Sequence, residues 1–338
     1  MELKTKITAV YALLLAANIG AWIWAFLAFH NYPLLLGTSL LAYTFGLRHA
    51  VDADHIAAID NVTRKLMHQG QRPVGVGIFF SLGHSTVVFG LSAAIALTSV
   101  ALKGRFDSFQ SFGGIVGTGI SAFFLLAIAV ANMVILLSVH HTFRVVKNGG
   151  AYVDEDLDLI LSKRGFFGRV FRFLFKLIGS SWHMYLLGFL FGLGFDTATE
   201  VGLLGISATE ASQGLPIWSI LVFPTLFAAG MVLIDATDGI LMLGAYGWAF
   251  IKPIRKLYYN MIITFVSVLV ALIIGGVEAL GLIADQFKLQ GTLWATIGFL
   301  NNDLGLLGFI IIGIFVSCWI ASFFIYRLNR YDEIEVNV

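Results

Sequence analysis

Residues 34–59 read LLLGTSLLAYTFGLRHAVDADHIAAI. The first half is apolar enough to lie in hydrocarbon. The second carries Arg48, His49, Asp52, Asp54 and His55 without leaving that apolar frame. The run exceeds the roughly 20 residues a helix needs to cross a bilayer, so part of it projects or bends. An ionisable side chain at the centre of a spanning helix costs about 2.5–3.5 kcal/mol on insertion scales, and so needs a partner or a polar cavity. Such a cluster therefore marks an internal site, not a lipid-facing surface.

The rest of the chain fits that frame. Of 338 residues, 58% are hydrophobic and only 12% are charged, against about 25% charged in soluble proteins. Comparable apolar runs fall at 7–29, 74–100, 112–139, 182–207, 217–250, 259–283 and 304–326. The expected fold class is an all-α integral membrane protein with about eight transmembrane helices. With the amino terminus inside, the cytoplasmic segments hold Lys4, Lys6, Arg64, Lys65, Arg144, Lys147, Arg172, Arg255 and Arg327, among others. The outer segments hold only Lys103, Arg105 and Lys288. The positive-inside rule then makes both termini cytoplasmic, in a multi-pass protein of the cytoplasmic membrane.

One polytopic membrane domain, 1–338, accounts for the whole chain: a four-helix half at 1–139, a cytoplasmic loop at 140–181, and a second half at 182–338. The loop holds an acidic run at 154–158 and a basic amphipathic stretch at 164–176, which suits a helix lying on the inner leaflet. The basic start and first apolar run are too long for a signal-peptide core of about 7–15 residues and read as a retained span. Cys318 is the only cysteine, so neither a thiolate metal cluster nor an internal disulfide is available. The net charge of +1 gives no basis for a nucleic-acid partner. The segment from Phe80 to Thr86 echoes that from Phe191 to Thr197, as internal repeats in transporters do.

Ionisable groups within the runs carry the chemistry. If the second run is a continuous helix, His49, Asp52 and His55 share an arc of roughly 120°. Two imidazoles and a carboxylate then converge as a nitrogen/oxygen metal site requires. Asp54 points away from that arc and either orients a histidine or ligates directly if the helix is distorted. The alternative is a salt-bridge network of Arg48 with these carboxylates. His84, in Ser81-Leu-Gly-His-Ser-Thr86, is a ligand or a hydrogen-bonded packing residue. Asp196 and Glu200 share a helix face, as do Asp235 and Asp238; facing carboxylates repel unless a proton or cation lies between them. The alternative partners are Arg48 and Thr197, Thr199 and Thr237. Glu278 stands alone and reads as a snorkelling side chain. Asn18 in the first run is either an interhelical hydrogen-bonding amide or a ligand.

The segment from Arg48 to His55 resembles the His-x4-Asp-His signature of the nickel/cobalt transporter family. The segments at 80–88, 193–200 and 230–239 resemble that family's other motifs and occur in the same order. The resemblance covers nearly the whole chain. It implies high-affinity uptake of nickel, with cobalt as the alternative, and a permease that supplies urease or hydrogenase. By motif match, His49, Asp52, Asp54 and His55 are essential, and Asn18 bears on metal preference. Ala236 departs from the family's usual Thr, which leaves both carboxylates of that motif in place. Nickel(II) or cobalt(II) is then the transported substrate; no cofactor is expected.

Two other classes compete. An intramembrane metalloenzyme would need His-rich boxes or His-Glu-x-x-His, which the sequence lacks. A membrane sensor would bind metal without moving it. No phosphate-binding loop of the Gly-x4-Gly-Lys-[Ser/Thr] type occurs. The reading is a secondary transporter and not an enzyme.

Overall fold

A computed structural model describes residues 3–98, 106–147, 178–193, 198–249, 253–302 and 304–328. The amphipathic stretch expected at 164–176 lies outside the described residues, as does Asp196. The described elements are helices: α1 (Leu3–Phe29), α2 (Pro33–His49), α3 (Ala53–His68), α4 (Val76–Thr98) and α5 (Phe106–Lys147), then α6 (Met184–Gly192), α7 (Ala198–Ser212) and the single turn α8 (Ile217–Ile220), then α9 (Val222–Ala249), α10 (Pro253–Phe287), α11 (Thr292–Asn302) and α12 (Leu304–Leu328).

Six of these stretches are long and apolar enough to cross a membrane: Leu3–Phe29, Val76–Leu97, Ile115–Lys147, Ile217–Gly247, Leu257–Phe287 and Leu306–Leu328. The other two expected runs are broken. The first is not the continuous helix on which the His49, Asp52 and His55 arc was built. It stops at His49, passes through Ala50–Val51, and restarts with Asp52 as the N-cap of α3, in extended conformation at φ −63 and ψ 145. In the fifth run α6 ends at Gly192 with Leu193 as its C-cap, and α7 begins at Ala198; residues 194–197 lie outside the described residues. At 17 and 16 residues, α2 and α3 are each shorter than a full crossing.

α9 is the central post, packed against α1, α2, α3 and α4. α1 runs antiparallel to it: Tyr11 bonds Thr237, Asn18 bonds the Ala229 carbonyl, and Phe29 stacks on Phe223. α3 runs with α9, since His55 meets Asp235 and Asp60 meets Tyr246 further along. The amino terminus and the carboxyl ends of α3 and α9 thus share one end of the molecule. α4 opposes α9, and α7 runs with α4, where Val87 and Ile95 pack on Leu204. α5 lies along α10 and α4 along α6. The outer faces of α1 and α12 expose Leu13, Ile19, Phe26, Phe309, Ile310 and Phe324, as surfaces solvated by lipid would.

Three positions differ from expectation. Arg64 and Lys65, counted as cytoplasmic-segment charges, are 2% and 7% exposed within α3. Arg64 donates to Thr264 Oγ1 at 2.6 Å and Asn61 Oδ1 at 2.9 Å, and Lys65 to the Ile178 carbonyl at 2.6 Å. Glu278 does not snorkel; it is buried. Beside Arg64, the buried Asp60 carboxylate accepts from the Tyr246 hydroxyl and from Ser267 Oγ at 2.7 Å. These bonds tie α3 to α9 and α10 by polar contacts in an interior that cannot leave such groups unmet.

Candidate metal site

His49, the last residue of α2, reaches the interior because the helix ends there. Asp52 follows the break. Its side chain makes no N-cap hydrogen bond; Oδ2 lies 2.8 Å from His49 Nδ1 instead. A carboxylate only accepts, so His49 Nδ1 holds the proton and Nε2 presents its lone pair. Thr199 Oγ1, 3.3 Å from the same Nδ1, flanks it.

His55, one turn into α3, repeats the pattern across helices. Its Nδ1 is 3.1 Å from Asp235 Oδ2 on α9, and that oxygen also accepts from Ser81 Oγ of α4 at 2.5 Å. His55 Nε2 is left buried and without a hydrogen-bond partner. His84 of α4 completes the group. Its Nε2 lies 3.0 Å from His49 Nε2 and 2.7 Å from Glu200 Oε1, on α7. Glu200 Oε1 is also 3.9 Å from His49 Nε2.

One ligand atom from each of the three histidines lies within 4.8 Å of the others. The rings are mutually close, with centroids 4.7, 4.8 and 5.0 Å apart. Phe227 and Phe80 wall them off from the surrounding core. All three histidines and Glu200 are at most 3% exposed. A neutral imidazole has one donor and one acceptor nitrogen. His84 Nε2 therefore cannot satisfy both the His49 lone pair and the Glu200 carboxylate, and His55 Nε2 has no partner at all. A divalent cation among these atoms would satisfy them together. Imidazole nitrogen with carboxylate oxygen is the donor set that first-row transition ions such as nickel and cobalt accept.

The remaining expected residues divide. Asp54, in the first turn of α3, is half-buried, acts electrostatically on His49 and His55, and has a buried Oδ1 without a hydrogen-bond partner. Asp238 is half-buried and lines a cavity of about 540 Å³ with Ile56, Thr237, Tyr246, Phe315 and Trp319; its Oδ2 is buried without a hydrogen-bond partner. Asn18 is not brought to the imidazoles. Its amide donates to the Leu14 and Ala229 carbonyls at 2.9 and 3.3 Å and accepts from Tyr43 at 2.9 Å. Arg48 is exposed at the end of α2. Ser81, three residues before His84 on the same helix face, donates to the Asp235 carboxylate and not to an imidazole.

The chain matches the NicO family, described as high-affinity nickel-transport protein, over residues 35–325. It is 61% identical over 333 residues to the high-affinity nickel transport protein of Cupriavidus necator, covering 98% of this chain and 95% of that one. It is 50% identical to the hydrogenase nickel incorporation protein HupN of Bradyrhizobium diazoefficiens, over 93% of this chain and 82% of the relative. The cobalt transport protein NhlF of Rhodococcus rhodochrous is 40% identical over 85% of this chain and 82% of its own length. No solved structure matches the chain.

Proposed function

This chain belongs to the NicO family of high-affinity nickel-transport proteins, and on that footing we propose that it carries nickel(II) inward across the cytoplasmic membrane, holding the ion at the buried imidazole group. The observation that carries the reading is the convergence of His49, His55 and His84 within 4.8 Å, with Glu200 Oε1 2.7 Å from His84. These four side chains hold the ion. Asp52 and Asp235 fix the tautomers of His49 and His55, the outer contact that metal-binding histidines depend on. Asp54 and Asp238 add negative charge beside the route, and Asp196 joins them by motif match. Asn18 acts through the framework, by holding α1, α2 and α9 in register.

The two broken helices count as crossings, which makes eight with both termini cytoplasmic. An inside-negative potential favours inward movement by about 2.3 kcal/mol per charge per 100 mV. Nickel delivered this way supplies a hydrogenase or urease; the name of the Bradyrhizobium relative supports the former. Cobalt is the second substrate, supported by the name of the Rhodococcus relative. The test is uptake of radioactive nickel by the purified protein in liposomes, with unlabelled nickel, cobalt, zinc and manganese as competitors. Inhibition by nickel and then cobalt at the lowest concentrations is expected. Binding without uptake would return the chain to the sensor class.

A further inference from the structure

The two broken helices are counterparts. Tyr43-Thr-Phe-Gly46 precedes the first break and Tyr185-Leu-Leu-Gly188 the second. Each is followed by a helix with a second matching segment, Phe80-Ser-Leu-Gly83 in α4 and Phe227-Ala-Ala-Gly230 in α9. The contacts among these segments are reciprocal. A side chain on Gly46 would strike the backbone of Phe227, and one on Gly230 would come 2.8 Å from the Tyr43 carbonyl. A side chain on Gly83 would strike the Tyr185 carbonyl, and one on Gly188 the Phe80 carbonyl. Each broken helix thus crosses, with the same residue types, the helix that follows the other break.

The directions are opposite. α2 enters from the end where α1 finishes, and α3 continues it alongside α9. α6 and α7 run with α4, which opposes α9. Three-crossing units of opposed sense, with interrupted helices at a central site, are the inverted-repeat plan of secondary transporters. The units are α2–α5 and α6–α10, and α1 and α12 stand outside them. In this plan α3 and α7 are equivalent helices that leave the site toward opposite ends.

α7 carries a polar file through Glu200, Ser207 and Glu210, which share one face at helical spacing. Ser207 is 0% exposed, and its Oγ has no hydrogen-bond partner; Glu210 is 9% exposed, and its Oε2 has none either. Leu215, just beyond, packs into the cluster of Phe29 and Phe223 and places this end opposite the amino terminus. Among the described residues, no hydrogen bond accounts for these two atoms.

Building on the transport reading above, we infer that α7 lines the half of the cation's route that opens opposite the amino terminus, and that Glu210 receives the divalent cation at that mouth. The whole chain carrying Glu210→Gln, in liposomes, should need roughly five-fold more nickel for half-maximal uptake, about what one unit charge is worth in water to a divalent cation about 8 Å away, with maximal rate kept. An unchanged half-saturation, with or without a loss of maximal rate, overturns the inference. A second measurement stands if that variant fails to accumulate. In a Cys318→Ser background, Ser207→Cys should react with a charged, impermeant thiol reagent from the face opposite the amino terminus only, and nickel should slow the reaction. Reaction from the other face, or no protection by nickel, overturns it equally. Calorimetry on wild type separates the two levels: absent nickel binding would count against the transport reading itself, whereas intact binding beside these negative results would count against the route alone.

Discussion

His55 Nδ1 and Asp235 Oδ2 lie 3.1 Å apart, although 180 residues separate them in the chain. Both side chains are fully buried, and the contact joins α3 to α9 at the level where the first broken helix restarts. Its chemical effect is to hold the His55 proton on Nδ1 and so leave Nε2 as a lone pair.

Asp235→Asn keeps the shape of that contact but can present a donor amide to the ring. The expected outcome is nickel affinity weaker by about 10–100-fold, the usual consequence of losing a ligand's outer partner, with protein levels near wild type. Asp54→Asn should act in the same direction but less, because Asp54 influences the histidines by charge and without a hydrogen bond. Nickel titration of both variants checks the order. Equal affinity in wild type and Asp235→Asn would mean that the carboxylate does not set the tautomer.

Tyr246→Phe removes the hydroxyl that donates to buried Asp60. Leaving a buried carboxylate short of one donor costs about 1–3 kcal/mol, so the thermal unfolding midpoint in detergent should fall. Affinity for nickel should not change, since Tyr246 lies away from the imidazoles. A midpoint equal to wild type would mean that Asp60 gains nothing from this bond.

Gly83→Ala would place a methyl group against the Tyr185 carbonyl, whereas Gly90→Ala, further along the same helix, meets nothing within 4 Å. Overpacking of this kind costs about 1–3 kcal/mol. The first variant should lose folded protein at elevated temperature and the second should not, as size-exclusion chromatography after heating would report. Equal behaviour of the two would contradict backbone-on-backbone packing of α4 and α6.

The spanning runs were legible because hydrocarbon solvation imposes a length and a composition on them. The residues of the site were legible because ionisable groups in such runs are costly. The break after His49 was not. Ala50 and Val51 carry no turn chemistry, and hydropathy is blind to whether Asp52 continues a helix or caps a new one. His49, Asp52 and His55 do meet, but by way of that break and not along one helical face. The burial of Arg64 and Lys65 was hidden for a related reason: near the end of an apolar run, a loop charge and a buried one look alike. The echo between the segments beginning at Phe80 and Phe191 marked two regions that do touch, with ring centroids 5.3 Å apart.

The central claim is that three imidazoles from α2, α3 and α4 hold one ion. Calorimetric titration of nickel into purified wild type, His49→Ala, His55→Ala and His84→Ala tests it most directly. The account predicts one site per chain in wild type and a large loss of affinity in each of the three variants, with each protein still monodisperse in detergent. Wild-type affinity in all three variants would contradict it and place the ion elsewhere.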